Sequence, residues 1–247
     1  MQEIIRVLRE MFPNAGCELK FGSPFELLVA VILSAQCTDK RVNQVTAQLF
    51  KQYNTPAQFA QMRQEQLEKA IFSCGFYRNK AANIIAAARQ IMSQHGGHVP
   101  KTLEELQKLP GVGRKTASVI VAVGFGGNAM PVDTHVFRVS RRLGLSNGKT
   151  PLAVEKDLTA LLQGQDCLQG QGCAEMGQGS CLQGRASCAG QVNCAEMGRG
   201  SCAEIHHRLI FLGRYVCKSR KPDCGGCKLN SVCPSARCKI KGETVCI

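Results

Sequence analysis

Two groups of residues could do chemistry. The first is a lysine and a carboxylate, Lys115 and Asp133, set 18 positions apart. Lys115 follows Leu109-Pro110-Gly111-Val112-Gly113-Arg114, which reads as a tight turn between two helices. That puts it in the first turn of the second helix, where the positive end of the dipole disfavours a further positive charge. Such placement is poor for stability and useful for an amine that must lose its proton. Exposed N–H groups at the same helix start form an anion site suited to a phosphate. Asp133 precedes a helix and is expected to cap it, with backbone N–H groups holding the carboxylate ionised. The second group is Cys217, Cys224, Cys227 and Cys233, in the spacing C-x6-C-x2-C-x5-C. Structural zinc sites usually have two close pairs separated by a longer loop, whereas cubane iron–sulfur clusters are held by four thiolates. Four thiolates with one C-x-x-C suit the cluster better, but spacing alone leaves both metals open.

Helices must position these groups. Thr102-Leu103-Glu104-Glu105 is a capping box that opens the first helix of the hairpin, and the apolar run Ala117 to Phe125 forms the second. Ser23-Pro24-Phe25-Glu26, Thr55-Pro56-Ala57-Gln58 and Thr150-Pro151 are further start signals. Residues 2–12 are amphipathic at helical spacing, and the apolar helix from Phe25 to Ala35 must be buried on most sides. Further helical patterns cover 40–52, 65–73, 78–94, 102–108, 114–125, 134–143 and 152–162. No stretch alternates with period two for long enough to make a strand, so the protein is expected to be all-α. Gly111 and Gly113 are both expected to take positive φ or admit a close backbone. A Gly-x-Gly turn alone fits a plain helical hairpin with a solvated lysine equally well.

Leu109 to Ala117, followed by Val132-Asp133-Thr134-His135, resembles the helix-hairpin-helix and catalytic aspartate of the endonuclease III family of DNA glycosylases. The cysteine spacing is also the one that family uses for a [4Fe–4S] cluster. The resemblance covers nearly the whole chain except one insertion. It implies a two-lobed helix-hairpin-helix glycosylase fold with double-stranded DNA in the cleft. One lobe would have six helices over 17–127, with the hairpin at about 102–125. The other would join 1–16 to 128–247 and carry the cluster loop, 217–233. The implied activity is that of a bifunctional DNA glycosylase/AP lyase of base excision repair, acting on oxidised pyrimidines. Lys115, its deprotonation helped by the helix dipole and partial burial, would attack the sugar C1′ and leave a Schiff base that permits β-elimination. Asp133 would stabilise positive charge on the sugar or accept a proton.

Enzymes that act on a base inside a duplex must extrude it and fill the gap. Leu33-Ser34-Ala35-Gln36-Cys37-Thr38-Asp39 resembles the family loop whose Gln enters that space, which assigns the role to Gln36. Gly75-Phe76-Tyr77-Arg78-Asn79-Lys80 resembles the second intercalating loop, with Phe76 where the family commonly has Leu; ordinary core packing is the alternative for this ring. Gly111, Val112, Gly113, Arg114 and Thr116 of the hairpin are expected to contact DNA, and His135 to order this region or meet a phosphate. Lys115 separates the chain from the related adenine glycosylases, which lack that lysine. A monofunctional mismatch or adenine glycosylase of the same fold is one alternative. A non-catalytic DNA-binding module is another, and it leaves the Lys115–Asp133 pair unexplained.

The composition agrees with a polyanionic partner: Lys and Arg outnumber Asp and Glu by 31 to 18. Residues 163–204 stand apart, with nine Gly, seven Gln and six Cys in 42 positions and a repeat of 21 between Cys167, Cys173, Cys181 and Cys188, Cys194, Cys202. This segment has too little apolar content to offset ordering entropy and is expected to be a flexible insertion. It holds four acids and two bases, so the positive charge belongs to the helical body. Lys218, Arg220, Lys221, Lys228, Arg237, Lys239 and Lys241 around the cysteine loop are expected to form a phosphate-contacting face. Fifteen cysteines without an export signal fit reduced thiols, some of them bound to metal, in a cytoplasmic monomer that is nucleoid-associated if bacterial. No stretch reaches the ~18 consecutive apolar residues of a membrane span.

Overall fold

Helix starts follow the capping signals. In the computed structural model, which describes residues 1–168 and 202–236, Ser23, Thr55 and Thr102 each accept a hydrogen bond from the backbone N–H three residues on. Pro24, Pro56 and Pro151 open their helices, where the missing N–H costs nothing. Only at Thr55 is the box reciprocal, with Gln58 Oε1 accepting from Thr55 N at 3.1 Å. At the other two sites the acidic side chain turns elsewhere, Glu26 to the Gly22 amide and Glu105 to the Thr102 hydroxyl.

Eleven helices result among the described residues: α1 (Gln2–Met11), α2 (Pro24–Ser34), α3 (Asp39–Gln52), α4 (Pro56–Gln61), α5 (Gln64–Ile71), α6 (Tyr77–Gln94), α7 (Leu103–Leu106), α8 (Arg114–Val119), α9 (Thr134–Arg142), α10 (Pro151–Leu168) and α11 (Cys202–Phe211). No strand occurs among these residues. α7 is shorter than the expected 102–108 because Pro110 and Gly111 follow it. α8 and α11 each run on into a wider π turn, Ile120–Gly124 and Leu212–Val216. Such turns recur at functional sites.

Two apolar cores form. The first surrounds α2, in which every residue from Leu27 to Leu33 is buried, and takes Phe59, Leu67, Ile84, Leu106 and Ala117 from the helices around it. The second gathers Ile4, Ile5 and Leu8 of α1 with Val136 and Val139 of α9, Leu158 of α10, and Ile205 and Leu209 of α11. The chain start thus packs against the later part of the sequence. Phe12 meets the Phe211 ring edge-on at 6.0 Å, and Arg9 pairs with Glu204 at 2.8 Å. Leu229 anchors the cysteine loop in this core, a burial worth about 2 kcal/mol.

The second core also corrects the insertion's limits. α10 continues to Leu168 and α11 begins at Cys202, so helix enters both ends of the stretch 163–204. Cys202 is buried in the core and Glu204 holds both Arg9 and Arg208. A helix once nucleated extends at little cost, which a Gly- and Gln-rich composition conceals. The rest of the repeat lies outside the described residues, as do Arg237, Lys239 and Lys241. No described helix is long and apolar enough to cross a membrane.

Candidate active site

The hairpin turn is built from one strained position and one ordinary position. Gly111 has φ +75°, and a Cβ there would lie 2.9 Å from Asn83 Cβ, so only glycine fits. Val112 is buried in the first core and its N–H donates to Leu109 O at 3.1 Å, closing the turn. Its side chain and amide are therefore both engaged within the protein. Gly113 has φ −83° and open space around it, so the expectation of positive φ does not hold there. Its missing side chain instead leaves the first turn of α8 uncapped, and no acidic residue occupies that turn.

Lys115 projects from this turn toward Asp133. The two oxygens of Asp133 are divided between two partners: Oδ1 accepts from Val136 N at 2.7 Å, capping α9, while Oδ2 lies 3.9 Å from Lys115 Nζ. The carboxylate is 12% exposed and the lysine 56% exposed. The expected partial burial of Lys115 is thus corrected, because the buried member of the pair is the aspartate.

Both residues line a cavity of about 290 Å³ at the junction of the two cores. Thr116 and Val119 of α8, Ser34 and Gln36 at and just after the end of α2, His206 of α11 and Arg214 in the π turn that follows α11 share the lining. A broader groove of about 1000 Å³, with Lys40, Asn43 and Gln44 on its walls, also includes Lys115. Another groove, of about 740 Å³ between α3 and α5, lies away from both groups.

Three residues that sequence reasoning missed hold this region. His206 is buried with Nδ1 2.8 Å from Pro131 O, so that nitrogen donates. Burial first, then the neighbouring His207, push its pKa down to about 4, leaving a neutral ring behind Asp133. Arg138 donates to Gly213 O at 2.9 Å and to Cys217 O at 3.1 Å. Arg142 donates to Lys218 O at 2.7 Å and Ser219 O at 2.9 Å. The two arginines stand one helical turn apart on α9, the one local signal that could have found them. His135 lies within this network, Nδ1 3.3 Å from Arg138, and its Cβ would lie 2.9 Å from a Cβ at Gly213.

Arg114 was expected on DNA, but its guanidinium forks onto Glu155 of α10 at 2.7 and 2.9 Å. Gln36 and Phe76 are the two non-glycine residues with positive φ among the described residues, +54° and +46°. Both project into solvent, Phe76 at 67% exposure, which excludes core packing for this ring.

Cys217, Cys224, Cys227 and Cys233 are free thiols, all half-buried, on one loop. Burial raises Cys227 and Cys233, and negative charge at the other thiols of the set raises them further. Cys217 Sγ accepts from Arg142 at 3.4 Å, and Cys233 Sγ donates to Arg142 O at 3.2 Å. Among the described residues no three His, Cys, Asp or Glu side chains are grouped to hold a metal ion. The donor set, four cysteine thiols within 17 residues of one loop with Arg142 beside one of them, is of the chemical kind that an anionic iron–sulfur cluster takes.

Residues 29–163 match the family of HhH-GPD superfamily base excision DNA repair proteins. Endonuclease III of Bacillus subtilis (strain 168) is 44% identical over 225 residues, which cover 91% of this chain and 87% of the relative. Endonuclease III of Escherichia coli (strain K12) is 39% identical over 231 residues, 94% of this chain and 93% of the relative. Two solved structures, a non-covalent endonuclease III–DNA complex and a trapped endonuclease III–DNA covalent intermediate, are each 40% identical, with TM-scores of 0.74 and 0.73. They cover 97% of this chain and 96% and 99% of their own. A thermostable thymine-DNA glycosylase, 19% identical with a TM-score of 0.70, shares the fold. An all-helical hairpin protein with a lysine facing a capping aspartate, matched along nearly its whole length, belongs to the endonuclease III family of the HhH-GPD superfamily.

Proposed function

We propose that this protein is a bifunctional DNA glycosylase/AP lyase of base excision repair that removes oxidised pyrimidines from duplex DNA. The observation that carries this reading is the approach of Lys115 Nζ to Asp133 Oδ2, 3.9 Å, on the wall of a cavity between two helical lobes. The trapped covalent intermediate solved for endonuclease III supports it. Lys115, once deprotonated, adds to C1′ as the bond to the base breaks, and the base leaves with a proton. Loss of the amine proton and opening of the sugar give the Schiff base, and removal of a C2′ proton then expels the 3′ phosphate. Asp133 supplies the negative charge against the developing sugar cation. Gln36 and Phe76 fill the space left by the extruded nucleotide. Thr116, His135 and the uncapped amides after Gly113 would contact the phosphates on this side of the duplex.

Cys217, Cys224, Cys227 and Cys233 would hold a [4Fe–4S] cluster. When bound, it supplies structural cross-linking of a loop with little apolar material. The exposed Lys218, Arg220, Lys221 and Lys228 surround that loop and suit a phosphate backbone.

Borohydride trapping on duplex DNA carrying thymine glycol, with wild type beside Lys115→Gln, tests the reading. A covalent adduct from wild type only is expected, with DNA affinity retained in the variant. Base release without an adduct would make the protein a monofunctional glycosylase, and neither release nor adduct would leave a DNA-binding module.

A further inference from the structure

Lys80 is the buried cation that the mechanism above does not use. It sits on the first turn of α6 at 6% exposure, and no carboxylate pairs with it among the described residues. Its Nζ donates instead to three backbone carbonyls: Leu33 O at 2.9 Å, Ala35 O at 2.7 Å and Cys74 O at 2.7 Å. An ammonium has three N–H donors, and all three are used. Burial lowers the pKa of this amine, yet only the protonated form can satisfy three acceptors at once.

What matters is where those carbonyls lie. Ala35 immediately precedes Gln36, and Cys74 lies two residues before Phe76. Ala35 (φ −57°, ψ 113°) and Gln36 (φ +54°) form a type II turn closed by Cys37 N donating to Ser34 O at 3.1 Å. That turn normally takes Gly or Asn at its third position, so Gln36 is held at a cost of about 1 kcal/mol or more. Phe76 is likewise left-handed, and the backbone N–H of Lys80 donates to Phe76 O at 3.1 Å. One residue therefore grips both strained turns from behind, with its side chain and its amide. The two turns are about 40 residues apart in sequence, and besides Lys80 a hydrogen bond between the uncharged Cys37 and Cys74 thiols joins them. Among the described residues, Lys80 is the one charged side chain that donates to the backbone of both.

We propose that Lys80 is a positioning residue that locks the Gln36 and Phe76 turns into a single wedge, so that the two side chains enter the duplex together during base extrusion. This rests on the reading of Gln36 and Phe76 as gap fillers. Lys80 touches neither DNA nor the reacting atoms; it fixes the backbone from which both fillers project. Without it, each turn can relax toward negative φ independently, and a filler misplaced by about 1 Å loses much of its effect.

The test follows extrusion separately from chemistry. Stopped-flow fluorescence of 2-aminopurine placed opposite an abasic-site analogue reports insertion, and borohydride trapping of a short single-stranded abasic oligonucleotide reports Schiff-base formation without a duplex. For Lys80→Met, insertion is expected to slow by about 10-fold or more while single-strand trapping stays within about twofold, and Lys80→Arg is expected to restore part of the insertion rate. Insertion at the wild-type rate in a folded Lys80→Met protein would overturn the proposal. So would equal losses in both assays, which would make Lys80 a support of the whole fold. If Lys80→Met does not fold, Gln36→Ala, Phe76→Ala and the double variant give the answer in the wild-type background. A locked wedge predicts that the two effects on insertion fall short of multiplying, whereas independent turns give a product. Single variants that both insert at the wild-type rate would instead refute the gap-filling role itself.

Discussion

Asp133 gives one oxygen to the backbone of α9, at 2.7 Å from Val136 N, and turns the other to Lys115 Nζ at 3.9 Å. Structural and electrostatic roles are thus carried by the same carboxylate, and substitution can separate them. Asparagine caps a helix about as well as aspartate does, whereas alanine loses about 1 kcal/mol of cap. Asp133→Asn is therefore expected to keep the wild-type melting temperature while single-turnover base release falls by about 10²–10³-fold. Asp133→Ala should lose both. If Asp133→Asn retains more than about a tenth of the activity, the residue is a cap and little else.

Arg114 forks onto Glu155, which lies 41 positions later, and so ties α8 beside the cavity to α10 of the second core. The carboxylate is buried, so removing its partner leaves an unpaired acceptor. Arg114→Gln is expected to cost about 1–2 kcal/mol, at the low end for a broken pair because the guanidinium is partly exposed. The salt dependence of DNA binding should keep its slope. A true phosphate contact would reduce that slope by about one and leave the melting temperature alone. Fluorescence anisotropy across a salt series, alongside thermal melts, distinguishes the two.

These pairs show what the sequence made legible. Caps and spacings are local signals: Ser23, Thr55 and Asp133 each meet a backbone amide three residues away, and the cysteine set lies within 17 residues. Lys80, His206 and Arg138 were missed because their partners lie 47, 75 and 79 positions away, at distances no periodicity encodes. The pairing of Arg114 with Glu155 was not legible for the same reason, since an arginine after a glycine turn looks identical whether it meets a phosphate or a distant glutamate. The exposure of Lys115 depends on how the two cores close around the cavity, which is a tertiary property.

The cysteine loop makes a prediction that does not depend on activity. Protein purified without oxygen should absorb near 400 nm, and Cys227→Ser or Cys224→Ser should lose that absorbance together with several degrees of melting temperature. Cys17→Ser, a thiol outside the loop, should keep the band. A colourless wild type that contains stoichiometric zinc would replace the cluster with a structural zinc site.

His206 makes a prediction about pH. Burial, with His207 adding to it, holds its pKa at about 4 in the folded protein, against 6.5 for an ordinary histidine. Between those values the unfolded chain binds the proton and the folded one does not, so stability rises with pH across that window. Above pH 6.5 the contribution is complete; on acidification toward pH 4 about 3 kcal/mol is lost, and nothing more below it. His207, lowered mainly by its own burial, adds in the same direction. Asparagine at 206 can still donate to Pro131 O and does not titrate. Thermal melts from pH 7 to pH 4 should therefore fall more steeply for wild type than for His206→Asn, by roughly 6–12 °C over the window. Parallel curves would mean that His206 is protonated in the folded state, and with it a positive charge would stand behind Asp133.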